Sequence, residues 1–252
     1  NNFVPCNGRF PTLIAILTMF FVGTAGGVFS SVLSALLLTL VIVLGVAATL
    51  LMTKFLSRTL LKGVPSSFTL ELPPYRKPQI GKVIVRSIFD RTLFVLGRAV
   101  AIAAPAGMLI WLLANISVDG VSILQHCASF LDPFARLMGL DGVILIAFIL
   151  GFPANEIVLP IMLMTYLSQG TLVEVQGLDS LRALLVANGW TLRTAACVAL
   201  FSLFHWPCST TTLTVYKETH SLKWTAVAVL LPTLTGVTLC ALVSALSRLL
   251  GA

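Results

Sequence analysis

Charge is scarce in this chain. Asp, Glu, Lys and Arg make up 10% of its 252 residues, against roughly a quarter in soluble globular domains, and so small a share excludes an ordinary water-facing surface. Acidic side chains are scarcest, nine against sixteen Lys and Arg, for a formal net charge of +7. A basic balance raises the possibility of nucleic acid, but its distribution speaks against that partner. Nine of the sixteen cations (Lys54, Arg58, Lys62, Arg76, Lys77, Lys82, Arg86, Arg91 and Arg98) fall in one segment between apolar runs. That is the pattern of a cytoplasmic loop under the positive-inside rule, with membrane lipid as its neighbour.

Other absences narrow the chemistry. There is no G-x-x-x-x-G-K-[ST], no HExxH and no GxSxG, so these residues offer no P-loop nucleotide site, zincin helix or nucleophile elbow. An intramembrane hydrolase built on Cys208 and His205 lacks an orienting acid at an interpretable spacing. A non-enzyme is expected. The five cysteines are odd in number and contain no CxxC, which argues against a disulfide framework. The chain opens on Asn1 rather than Met, without a signal-like n-region, and reads as part of something longer.

What is abundant is apolar surface: 58% hydrophobic residues and a mean hydropathy of +1.01. Val32 to Met52 carries no charge, long enough to cross a hydrocarbon core as a helix. Six such stretches recur, at Phe10–Phe29, Val32–Thr53, Thr92–Ile116, Val143–Leu167, Trp190–Trp206 and Trp224–Leu249. Between them, Ile80–Arg91, Val118–Asp141 and Leu172–Asn188 are too polar to cross and suit the interface. The expected fold class is all-α: a polytopic membrane protein with about six hydrophobic helices, broken or re-entrant segments and interfacial amphipathic helices. If each stretch crosses once, Arg182, Arg193 and Arg248 share a face with the basic loop. Three regions follow: 1–53, 54–91 (the basic loop and interfacial helix) and 92–252.

Gly151 to Pro160 reads GFPANEIVLP and places Glu156 deep in the fourth stretch. A carboxylate there costs about 2.5 kcal/mol or more unless it faces protein, water or a cation. Pro160 removes a backbone donor, so in a continuous helix it frees the carbonyl of Glu156. Glu156, the Asn155 amide and loosened carbonyls together form an oxygen-rich cation site; the plain alternative is a protonated glutamic acid bonded to a neighbouring helix. Cys6 and Cys208 each follow a proline at a span end, in Val4-Pro5-Cys6-Asn7 and Trp206-Pro207-Cys208-Ser209, an echo of the broken, repeated helices of transporters. Thiolates favour a transition metal, and His205 shares a face with Cys208 if the helix runs that far. Cys127, Cys197 and Cys240 read as packing residues.

Leu60-Leu61-Lys62-Gly63 followed by Phe68-Thr69-Leu70-Glu71-Leu72-Pro73-Pro74-Tyr75-Arg76-Lys77-Pro78 resembles the LLKG…F..ELPPYR.P signature of the FeoB family of bacterial ferrous iron transporters. Phe3 to Pro11 resembles the family's first Gate repeat, Gly151 to Pro160 its second, and Pro207-Cys208 with Glu218-Thr219 and Lys223-Trp224 the closing stretch of that second repeat. The resemblance implies transport of Fe2+ across the bacterial cytoplasmic (inner) membrane by a multi-pass region linked to an N-terminal GTPase domain, where GTP and Mg2+ would bind. A small FeoA-like protein is an implied partner, and a homo-oligomer is a further expectation. Two parts of the family pattern are missing from these residues: the GTPase domain and the first Gate's GCNVPA segment. The metal candidates are Glu156, Cys208, Cys6, Asn155 and His205. Alternatives are a nucleoside or small-solute carrier of the Gate type, or a membrane anchor for the GTPase domain.

Overall fold

The computed structural model describes residues 2–23, 27–59, 79–168, 170–172 and 177–249; the LLKG and ELPPYR motifs lie outside the described residues. Helix α1 (Phe10–Leu17) passes into a π turn (Thr18–Val22), and α2 (Val28–Arg58) follows. Then come α3 (Ile80–Arg86), a π turn (Ser87–Leu93) and α4 (Phe94–Asn115). A two-residue hairpin, β1 (Ser117–Val118) and β2 (Val121–Ser122), leads to α5 (Ile123–Leu137), α6 (Gly142–Leu150), a 3-10 turn (Asn155–Ile157) and α7 (Val158–Tyr166). The chain closes with α8 (Leu178–Ala187), α9 (Leu192–Phe204), α10 (Ser209–Thr219) and α11 (Leu222–Leu249).

The helices α2 and α11 are long and apolar enough to cross a membrane. On α2 Gly45 is buried, while Leu36, Leu40, Val43, Leu50 and Leu51 lie exposed. A helix that is hydrophobic all round and keeps its leucines outside has lipid as its solvent. Gly45 is where the chain's first residues cross it, because a Cβ at this position would run into the Phe3 carbonyl. Small residues permit such close approach where no water drives association.

Two bent pairs organise the rest. Helices α5 and α6 meet at 108°, and so do α8 and the interrupted rod Leu192–Thr219 formed by α9 and α10. The two bends are built alike. Gly139 (φ 72°) and Gly189 (φ 86°) take the left-handed turn after the first helix, which glycine enters without steric cost. Two residues later Asp141 caps Ile144 N–H at 2.7 Å and Thr191 caps Thr194 N–H at 3.3 Å, satisfying an orphan donor of the second helix.

Both second helices then stop at an aromatic-Pro step: α6 before Phe152-Pro153, α9 before Trp206-Pro207. Proline supplies no N–H and pushes its predecessor out of the helical region. The two breaks bond to each other, Ser209 donating from its N–H to the Phe152 carbonyl at 2.8 Å and from Oγ to Pro153 at 3.4 Å. Unwound backbone at membrane depth is tolerated when protein buries and pairs it.

After its break, the chain from α6 folds back. Tyr166 at the end of α7 donates its hydroxyl to Asp141 at the start of α6, and Trp190 Nε1 donates to the Tyr166 oxygen at 2.8 Å. Val143–Leu167 is therefore a re-entrant hairpin that enters and leaves at one end of the molecule. The expectation of one crossing per stretch does not hold here, and the parity of everything after it changes. Leu56, near the end of α2, lines a cavity with Trp224 at the start of α11, whereas Arg193 and Arg248 line a cavity with Gly139 and Asp141 at the opposite end of α11. Arg193 and Arg248 thus lie away from the face where Lys54 and Arg58 leave α2, contrary to the shared face expected from sequence.

Candidate functional site

The breaks of α6 and α9 meet the chain's first residues, with Cys6 exposed at the edge of the contact. Asn155 is buried at 6% exposure and His205 at 1%. Asn155 reaches Cys6 from Nδ2 at 3.7 Å and faces His205 Nε2 from Oδ1 at 3.4 Å. His205 Nδ1 lies 3.0 Å from the Phe201 carbonyl and 2.9 Å from that of Ser202. Carbonyls only accept, so Nδ1 carries the proton and Nε2 presents a lone pair. That lone pair meets the Asn155 oxygen, acceptor against acceptor. A cation between them relieves the clash; otherwise the carboxamide turns over, donating to Nε2 and accepting from the Cys6 thiol.

Phe148 and Phe201 hold the imidazole, with ring centroids 5.0 and 5.9 Å away. Trp206 meets it edge-on at 5.8 Å, so the ring is fixed by two carbonyls and three aromatics.

Beside this trio lies Arg9, a buried cation that sequence reading left out of the site. At 3% exposure its guanidinium donates to the carbonyls of Asn2 (3.2 Å), Leu203 (3.1 Å), His205 (3.5 Å) and Trp206 (3.0 Å). Three of these are the carbonyls orphaned where α9 ends. Asn2 adds Nδ2 to the His205 carbonyl at 3.0 Å. Arg9 lies within electrostatic reach of both Cys6 and Cys208. The only signal available in sequence was its position three residues after Cys6 in a short apolar context, and its partners, being backbone, carry none.

The five candidates do not converge on one point. Glu156, next to buried Asn155, is exposed and lines a separate cavity of about 430 Å³ with Ala103, Gly107, Trp111 and Met164. Gly8 lies close behind it: a Cβ there would sit 3.4 Å from Glu156 Oε2. Pro160 occupies the first turn of α7, where its missing N–H had no helical partner to lose. The break comes earlier, at Gly151–Ala154, and Pro160 does not create it. Cys208 opens α10 and contacts Thr211 Oγ1 at 3.3 Å. Because α9 stops at Phe204, His205 and Cys208 do not share a helix face, and the expected pairing is lost. Among the described residues no three His, Cys, Asp or Glu side chains cluster as a metal site. Instead, Cys6 and His205 each lie beside the Asn155 carboxamide.

The family described as Nucleoside recognition (Gate) matches residues 96–222, and that described as Ferrous iron transport protein B C terminus matches residues 38–90. The Fe(2+) transporter FeoB of Staphylococcus aureus (strain MSSA476) is 28% identical over 244 residues, covering 92% of this chain and 33% of the relative. The Fe(2+) transporter FeoB of Synechocystis sp. is 26% identical, covering 91% and 35%, and that of Leptospira biflexa is 25% identical, covering 98% and 38%. The chain thus spans about a third of the length of these curated relatives. No solved structure matches it. Spanning the Gate and C-terminal matches with its crossed, broken helices, the chain belongs to the FeoB family as part of its C-terminal membrane region.

Proposed function

We propose that this region carries ferrous iron across the bacterial cytoplasmic membrane, with Cys6, Asn155 and His205 as one station and Glu156 as the carboxylate of a neighbouring cavity. One observation carries the reading: an imidazole lone pair, a carboxamide and a thiol meet where two helices unwind. Fe2+ is borderline in softness and accepts N, O and S donors together, where sodium or magnesium would want oxygen alone. The 3.4 Å between His205 Nε2 and Asn155 Oδ1 suits two ligands, each about 2.1 Å from one ion, at a near-tetrahedral angle. Cys208, across the break, is a second thiol along the path. The relatives' name as Fe(2+) transporters supports the same cargo. Their greater length supports a linked domain beyond these residues, to which GTP hydrolysis would belong.

The test is uptake of radiolabelled Fe2+ by the full-length transporter in cells. Cys6→Ser and His205→Gln are each expected to lower uptake by about tenfold or more, Glu156→Gln to lower it as well, and Cys197→Ser to leave it near wild type. Wild-type uptake in both Cys6→Ser and His205→Gln would sink this station.

A further inference from the structure

At the end of the molecule away from the α2 exit, the two bends and the last turn of α11 enclose a polar cavity of about 350 Å³, lined by Arg136, Asp141, Asn188, Arg193, Thr194 and Arg248. Its charges do not cancel. Arg136 pairs with Asp132 through Nε, and Asp132 also accepts from Gly142 N–H at 3.1 Å. Asp141 is engaged by Ile144 N–H and the Tyr166 hydroxyl. Beyond the Arg136–Asp132 pair, the lining holds two guanidiniums against the one carboxylate of Asp141, and among the described residues neither Arg193 nor Arg248 makes an ion pair. Arg248 donates to the Arg136 carbonyl at 2.7 Å, and Arg193 Nε is buried without a hydrogen-bond partner. A buried donor left unpaired is costly, and two forked guanidiniums at one mouth are matched to an oxyanion with several oxygens.

The surroundings distinguish a lipid from a free ion. Phe130, Phe134 and Leu137 lie exposed at helical spacing on α5, the helix that carries Arg136, and Leu242, Leu246 and Leu249 do the same on α11, the helix that carries Arg248. Both helices that bring an arginine to this cavity therefore also carry exposed apolar surface, on which acyl chains joined to a bound phosphate could lie.

We propose that this cavity is a headgroup site for an anionic phospholipid, with Arg193 and Arg248 holding the phosphate and the stripes on α5 and α11 carrying its chains. The proposal does not depend on iron or on the station at Cys6, Asn155 and His205. It is tested by native mass spectrometry of the detergent-purified, delipidated chain titrated with phosphatidylglycerol or phosphatidylcholine. Wild type is expected to retain phosphatidylglycerol preferentially, and each of Arg193→Gln and Arg248→Gln to weaken that retention by about fivefold. Arg248→Gln alone keeps the test valid should the half-buried Arg193→Gln variant fail to fold, because Arg248 is exposed. Equal retention of the two lipids by wild type, or an undiminished preference in Arg248→Gln, would overturn the site. Inorganic phosphate that displaces phosphatidylglycerol at equal concentration would overturn the role of the acyl stripes and leave a free-oxyanion pocket.

Discussion

At the scale of single residues the decisive group is Arg9. Its guanidinium does for α9 what a C-cap ordinarily does, and its donors satisfy carbonyls released by the Trp206-Pro207 step. Charged hydrogen bonds of this kind are worth more than neutral ones, and removing the donor leaves buried acceptors unpaired. Arg9→Met should therefore cost about 3 kcal/mol of stability, read as an earlier thermal unfolding transition of the purified protein in detergent. Arg9→Lys should recover only part of this, since a single ammonium cannot fork to several carbonyls. An unchanged transition in Arg9→Met would show that water already serves those carbonyls. Side-chain chemistry made Cys6, Asn155 and His205 legible as candidates, because thiol, amide and imidazole beside prolines are unusual in apolar sequence. Their convergence was not legible: Cys6 and Asn155 are brought together by the crossing of distant segments.

Among the elements, the breaks could be foreseen and the fold-back could not. Pro153 and Pro207 announce their helix ends in any sequence reading. By contrast, the apolar run Val143–Leu167 has the length of a full crossing, and hydropathy does not distinguish a span from two half-helices that turn around. The folded chain also carries an internal likeness that sequence did not point to. Sequence pointed to Cys6 and Cys208, whereas the folded chain repeats the glycine turn, the cap and the aromatic-Pro stop at residues 139–153 and 189–207. Glycine at the crossing of the first residues over α2 gives this scale its prediction. Gly45→Val must push the Phe3 carbonyl away, at a cost of about 1–3 kcal/mol, and carry Cys6 out of reach of Asn155. Fe2+ binding by the purified protein should fall, while Gly81→Ala, with nothing within 4 Å of the added carbon, should bind as wild type. Equal binding by the two variants would separate Cys6 from the packing at Gly45.

For the whole molecule, the re-entrant hairpin sets the topology. With α6 and α7 entering and leaving together, α2 and α11 are the described helices long and apolar enough to cross a membrane, and the two ends of α11 open on opposite faces. Arg58→Cys and Arg248→Cys, in a cysteine-depleted background, should therefore react with a membrane-impermeant maleimide from opposite sides of the membrane. Labelling of both from one side would restore the topology read from sequence. Counting cations under the positive-inside rule failed here for a physical reason: Arg193 and Arg248 belong to a folded cavity rather than to a loop.

The bond from Ser209 N–H to the Phe152 carbonyl joins the hairpin tip to the start of α10. While the tip is seated that amide is shielded, and each departure of the tip exposes it to solvent. Its rate of exchange with deuterium therefore times the opening of the crossed breaks, making one backbone proton a clock for the motion of the hairpin tip.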